Sequence, residues 1–349
     1  MFILNKWGKL TLALTILFGI FLSGCANNDS EQQEQQSTSE DHLEIYTTLF
    51  PFEDFAKKIG GTYVTVESII PPGSDAHNYE PTTQTMIQLA DADLFIYSND
   101  DMETYAKSMA ESLKAEQVTV LQASEGINLL EHGHEDQGDK TTEDQHEDNE
   151  HEENHTESVE NEENHTEDDE HAHEEYDKDP HVWLDPTLSI QLANNIKEQL
   201  IELKPEASET FNKNFEQLKL QLLELDSQFH KLTDTTNKRK ILVSHAAYGY
   251  WEQAYGIEQI SITGLSPTNE PSQRQLETII ETAKQNDLQY IIFEQNVKPK
   301  IANIIKDELG AETLQLHNLS VRTDEEISND EDYFSIMEKN LNTLEQALK

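Results

Sequence analysis

"EASETFNKNFEQLKLQLLELDSQFHKL", residues 206–232, sets Phe211, Phe215, Leu218, Leu222, Leu225, Phe229 and Leu232 at alternating steps of four and three. That spacing follows the 3.6-residue turn of an α-helix and draws one apolar stripe along it. No glycine or proline interrupts the stretch. The pattern therefore predicts a single helix from about Glu206 to Leu232, ~40 Å long at 1.5 Å per residue. A stiff strut between two halves of the molecule accounts for such a length. The alternative is an ordinary core helix of one half.

What flanks the helix favours the strut, because the same rhythm occurs on both sides. Before it, "LEIYTTL" (43–49), "YVTVESII" (63–70), "DLFIYS" (93–98) and "QVTVLQ" (117–122) read as strands, with helices near 50–59, 82–91 and 103–115. After it, "KILVS" (240–244), "IEQISI" (257–262), "LQYIIF" (288–293) and "TLQL" (313–316) alternate with helices near 247–255, 272–286, 298–309 and 331–348. Alternating strands and helices imply parallel sheets covered on both faces. The expected fold is α/β, with an N-terminal lobe over 42–205, a linking helix over 206–234 and a C-terminal lobe over 235–349.

One segment breaks this rhythm. Residues 131–179 hold 23 Asp or Glu against Lys140 and Lys178, together with eight histidines. Almost no large apolar side chain accompanies them, so the tract cannot bury enough surface to order itself and reads as a disordered insertion in the N-terminal lobe. It carries −21 of the chain's net charge of −45. A charge of that sign excludes nucleic acid and anionic lipid surfaces as partners and suits cations.

The first residues, "MFILNKWGKLTLALTILFGIFLSGC", place Lys6 and Lys9 before an apolar run that stops at Ser23 and Gly24. This is the layout of a secretory signal peptide, 1–24. The run from Leu10 to Leu22 is too short for the ~20 residues of a spanning helix. Leu22-Ser23-Gly24-Cys25 also resembles the lipobox of bacterial lipoproteins, which implies acylation of Cys25 and a membrane-held protein outside the cytoplasm. Residues 25–41 are polar and read as a flexible tether. Cys25 is the one cysteine of the chain, so the exported part has no disulfide and no thiolate metal ligand.

Four segments set a metal-capable side chain beside a strand end or a helix start, where open α/β sheets bind ligands. "IIPPGSDAHNYEPTTQTM" (69–86) carries His77 between a strand and a helix. "DPHVWLDPTL" (179–188) carries His181 before a helix started by Asp185 as cap and Pro186 in its first turn. "KILVSHAAYGYW" (240–251) and "LQYIIFEQNV" (288–297) carry His245 and Glu294 directly after apolar strands. Each alone reads as well as a capping or packing residue. As a set, two in each lobe, they can face one another across a cleft, and three imidazoles with a carboxylate complete a tetrahedral shell suited to Zn²⁺. Mn²⁺ prefers more oxygen.

The motifs "PPGSDAHNYEPT" (71–82), "DPHVWLDP" (179–186), "SHAAYGYW" (244–251) and "YIIFEQNVKPKIANII" (290–305), with the closing "EDYFSIMEKNLNTLEQAL" (331–348), resemble the metal-binding family of ABC-transporter substrate-binding proteins, in its zinc-uptake branch. The resemblance spans about Leu43 to Lys349. It implies two α/β lobes joined by a long rigid helix, with the ion in the cleft on His77, His181, His245 and Glu294. It further implies a monomeric receptor without catalytic activity that delivers Zn²⁺ to a membrane permease. The manganese branch typically has carboxylates at the third and fourth positions, whereas here the third is His245. Zinc members often carry a His- and acid-rich insertion before the second motif, where residues 131–179 lie. That tract, with His171 and His173, reads either as a weak collector of Zn²⁺ or as a solvated loop without a role. A manganese receptor and a surface metal buffer or adhesin are the alternative functions. A zinc hydrolase would need an open fourth position for water, which Glu294 closes.

Overall fold

A computed structural model describes residues 42–100, 102–131, 178–267, 271–295 and 300–349. In it the apolar runs form β1 (Leu43–Thr47), β2 (Val64–Ser68), β3 (Leu94–Tyr97) and β4 (Thr119–Gln122) before the long helix. After it come β5 (Lys240–Val243), β6 (Glu258–Ser261), β7 (Tyr290–Phe293) and β8 (Glu312–Gln315). Every pairing is parallel, in the orders β2-β1-β3-β4 and β6-β5-β7-β8. Ile45 sits between Val66 and Leu94, as Leu242 sits between Ile260 and Ile291. Parallel strands covered on both faces read as unbroken apolar runs, and all of Leu94–Tyr97 is buried.

The helices are α1 (Phe50–Gly60), α2 (Thr83–Leu89), α3 (Thr104–Ala115), α4 (Pro186–Leu203), α5 (Ser208–Thr235), α6 (Gly249–Tyr255), α7 (Gln273–Gln285), α8 (Lys300–Leu309), α9 (Asp324–Ser328) and α10 (Tyr333–Ala347). The Asp185 carboxylate caps α4, accepting from the Thr187 and Leu188 amides at 2.7 and 3.2 Å. The strut is α5. It spans 28 residues, and all seven apolar positions of its stripe are buried. It packs against α1 and α4, which precede it in the chain, and against α6 and α10, which follow it.

Its stripe belongs to a continuous apolar core that also takes in Ile45 and Ile96 of the first sheet and Val243 and Ile292 of the second. Two smaller clusters fill the outer faces. One gathers Phe95 with Met109 and Leu113 of α3, the other Ile291 with Ala283 of α7 and Ile305 of α8. Directional bonds then sew the lobes together. Trp183 Nε1 donates to the Asn318 carbonyl at 2.7 Å, Trp251 Nε1 to Leu184 at 2.8 Å, and the Phe50 amide to Ser320 at 2.9 Å. Arg322 lies over the Phe50 ring and donates to Glu53 Oε1 at 3.0 Å.

In each sheet the strand order reverses once, between β1 and β3 and between β5 and β7. Open α/β sheets form their ligand crevice at such a reversal, beyond the carboxyl ends of the strands. His245 follows β5 by two residues and Glu294 follows β7 directly, so both lie at the second crevice.

The expected boundary of the acidic tract needs correction. Glu131 and Lys178 pair as an antiparallel bridge, the Asp179 amide donates to the Leu130 carbonyl at 2.8 Å, and Asp179 is buried. Residues 131, 178 and 179 therefore belong to the folded body, because they close its wall across the base of the tract. The signal peptide, Cys25, the tether and residues 132–177, including His171 and His173, lie outside the described residues. Among those described, no helix is long and apolar enough to cross a membrane.

Candidate metal centre

His77 is held by a local device. It lies in a 3₁₀ turn, Ala76–Asn78, capped by Asp75, whose Oδ1 accepts from the His77 amide at 3.0 Å. The surrounding loop is partly exposed, and so is His77. His181 is fully buried, and both its amide and its Nδ1 meet Asp179 Oδ1, at 2.9 and 2.8 Å. A carboxylate in its ionised form only accepts, so Nδ1 carries the ring proton and Nε2 presents its lone pair inward.

Asp179 is itself fixed. Its carbonyl accepts from Tyr250 Oη at 2.9 Å. A Cβ on Gly249 would stand 2.5 Å from Asp179 Oδ2, so only glycine lets α6 start this close to the carboxylate.

His245 is also fully buried. Its Nδ1 meets Glu294 Oε1 at 2.5 Å and its Nε2 meets the Leu265 carbonyl at 2.9 Å. Both ring nitrogens face acceptors, which is the surrounding of an imidazolium. Burial works to lower its pKa, but the Glu294 charge, the bond to Glu294 and the Leu265 carbonyl outweigh it, and the group ends above its ordinary value. His77 and His181 go the other way. Burial holds each well below the usual imidazole range, and the charge on His245 adds to it.

The three rings converge, with centroids 5.0 to 5.3 Å apart. One nitrogen from each lies within 4.8 Å of the other two. His181 Nε2 and His77 Nε2 are 3.3 Å apart. Two nitrogens at ~2.05 Å from a tetrahedral zinc would stand about 3.3 Å from each other, so these two already have the edge length of such a shell. Both are neutral nitrogen bases, the donor type Zn²⁺ takes readily.

Of the four residues marked by sequence, the structure therefore brings His77, His181 and His245 together around one point. It places Glu294 beside His245 rather than across from it. Glu294 Oε2 accepts from Asn318 Nδ2 at 2.8 Å. Sequence reasoning passed over Asp179, hidden as the last acid of a long acidic run, and Asn318, which sits in no recognisable motif. The Gly249 that admits Asp179 was the available signal. Tyr248, buried and stacked on Trp251, has a hydroxyl without a hydrogen-bond partner among the described residues. Burial, with the Glu294 charge, pushes that phenol well up.

Residues 45–347 match the family model of the zinc-uptake complex component A, periplasmic. Among curated relatives, the zinc-binding lipoprotein AdcA of Streptococcus pneumoniae R6 is 32% identical over 339 residues, 97% of this chain and 61% of that protein. The chain thus spans about three fifths of the AdcA relatives it matches. The high-affinity zinc uptake system protein ZnuA of Bacillus subtilis is 31% identical over 344 residues, covering 99% of this chain and 98% of that one. The crystal structure of the Zn(II)-bound ZnuA-like domain of S. pneumoniae AdcA superposes with a TM-score of 0.68 at 31% identity, over 88% of this chain and 99% of that domain. With a match running from β1 to the end of α10, the chain belongs to the zinc-uptake complex component A family.

Proposed function

We propose that this protein is the extracytoplasmic zinc receptor of an ABC importer and that His77, His181, His245 and Glu294 hold the ion. The family is one of solute-binding receptors rather than of enzymes. The observation that carries the reading is the 3.3 Å separation of two neutral Nε2 atoms with a third imidazole beside them. Zn²⁺ entering past the partly exposed His77 takes the lone pairs of His77 and His181. His245 then gives up its proton to solvent, and Glu294 Oε1, released from the imidazolium, turns to the ion. Four protein ligands leave no position for a reactive water, so the ion is carried and not used. An imidazole at the third position favours zinc over Mn²⁺, which suits oxygen donors.

The remaining parts of the proposal rest on the sequence. Cys25 carries the acyl chains that keep the receptor at the outer face of the membrane, and the protein works as a monomer that hands Zn²⁺ to its permease. Competition between the purified protein and a chromophoric chelator tests the metal reading. One tight zinc site per chain is expected. His77→Ala, His181→Ala and His245→Ala should each weaken it by more than the 10–100-fold typical of losing a group that only orients a ligand. Equal affinities for wild type and His245→Ala would sink the site. Tighter binding of Mn²⁺ than of Zn²⁺ by the wild type would turn the assignment to manganese.

A further inference from the structure

Asn318 lies at the second crevice, on the segment that leaves β8, and both ends of its side-chain amide and its carbonyl are engaged. Oδ1 accepts from the Ser320 amide at 3.0 Å, from Ser320 Oγ at 2.8 Å and from Gln295 Nε2 at 3.2 Å. With three donors on Oδ1, the amide has one orientation, and Nδ2 faces Glu294 Oε2 at 2.8 Å. The Asn318 carbonyl accepts from Trp183 Nε1, two residues from His181. The next residue, Leu319, has φ of +61° and turns the chain sharply away, with its amide on His317 Nδ1 at 2.8 Å. All of Asn318, Ser320 and Glu294 is buried, so no exposed water competes for these bonds.

The consequence is an asymmetric carboxylate. Glu294 Oε1 is on the His245 side, 2.5 Å from Nδ1. Oε2 stays on an amide that cannot turn. We infer that Asn318 is a specificity-determining positioning residue: by holding Oε2, it limits Glu294 to a single metal-facing oxygen and so favours a four-coordinate ion over one that seeks more oxygen ligands. Zn²⁺ is satisfied by three nitrogens and one oxygen. Mn²⁺ gains from a bidentate carboxylate and a larger shell, which the Asn318 bond denies. This rests on the proposal that Glu294 and the three histidines bind the ion.

The test is Asn318→Asp in the full chain. This keeps the oxygen on which Ser320 and Gln295 depend and removes the N–H that reaches Oε2. Asn318→Ala is the second variant should the first fold poorly, and Ser320→Ala is the control, since it loosens Oδ1 and leaves Nδ2 in place. Each metal-free protein is titrated with zinc chloride and with manganese chloride under chelator competition. The zinc-loaded forms are compared by X-ray absorption at the zinc edge. The Asn318 variants should narrow the zinc-to-manganese affinity ratio by about tenfold, in the range seen when a group orienting a ligand is lost. They should also add an oxygen to the four light donors around zinc. Ser320→Ala should leave the ratio unchanged. An unchanged ratio in the Asn318 variants, or an equal shift in Ser320→Ala, overturns the inference. A wild type without a tight zinc site overturns instead the function on which it rests.

Discussion

Two carboxylates orient the two buried imidazoles, with opposite results. Asp179 fixes His181 as a neutral ring whose Nε2 faces inward, whereas Glu294 holds a proton on His245. Asp179→Ala should therefore lower zinc affinity 10–100-fold without touching a ligand. Gly249→Ala should do nearly the same, because its Cβ would displace Asp179 Oδ2. Competition titrations of the two variants check this, and wild-type affinity in both would refute the orienting role. The sign of the pH effect follows from His245. Its pKa is raised, so the metal-free protein keeps that proton to a higher pH than a free imidazole does, and zinc competes with it. Affinity should begin to fall above the ordinary imidazole value of about 6.5 as pH decreases, and calorimetry in buffers of different ionisation enthalpy should show proton release on zinc binding that grows as pH is lowered. At this scale the sequence was informative where chemistry and position coincided. His245 and Glu294 stand immediately past apolar strands, and His181 precedes a Pro-marked helix start. Asp179 and Asn318 are held in place by bonds from distant partners, Tyr250 and Trp183, and no local pattern records those.

Among the elements, α5 was the most legible, because seven apolar side chains at steps of four and three leave one solution, and all seven are buried. The strands lie within two residues of their expected ends for the same reason, each being a short apolar run between breakers. The five-residue α9 went unread. It is too short for a period, and it is held by a capping box in which Thr323 and Glu326 satisfy each other's amides. The burial along α5 sets its energetic weight. Leu222 is fully buried in the core shared by both sheets, so Leu222→Ala should cost about 2–5 kcal/mol. Because that core is continuous, thermal unfolding followed by circular dichroism should still show one transition at a lower temperature. Two separated transitions would show that the lobes are energetically independent. Asp185→Ala, which removes the cap of α4, should cost only about 1 kcal/mol.

At the scale of the molecule, the two lobes and the strut form one body into which the acidic tract is spliced, and the splice point is structurally defined. Glu131 and Lys178 face each other as an antiparallel pair, with the Asp179 amide on the Leu130 carbonyl. Residues 131 and 178 are thus as close as the two sides of a hairpin, and a two-residue Asn-Gly turn is suited to join them. Replacing 132–177 by Asn-Gly should keep the fold, since no described contact is lost. The melting temperature should move by no more than about 2–4 °C, equivalent to roughly 1 kcal/mol for a domain of this order. One tight zinc site should remain, because His77, His181 and His245 all lie outside the segment. Adding Asp179→Ala to the shortened chain removes the carboxylate that sets the His181 tautomer and should lower zinc affinity 10–100-fold. The two proteins differ by one side chain, so the difference between their chelator-competition curves isolates the Asp179 carboxylate. Equal curves would remove Asp179 from the site, and loss of the tight site in the deletion alone would mean that the tract itself supplies a ligand.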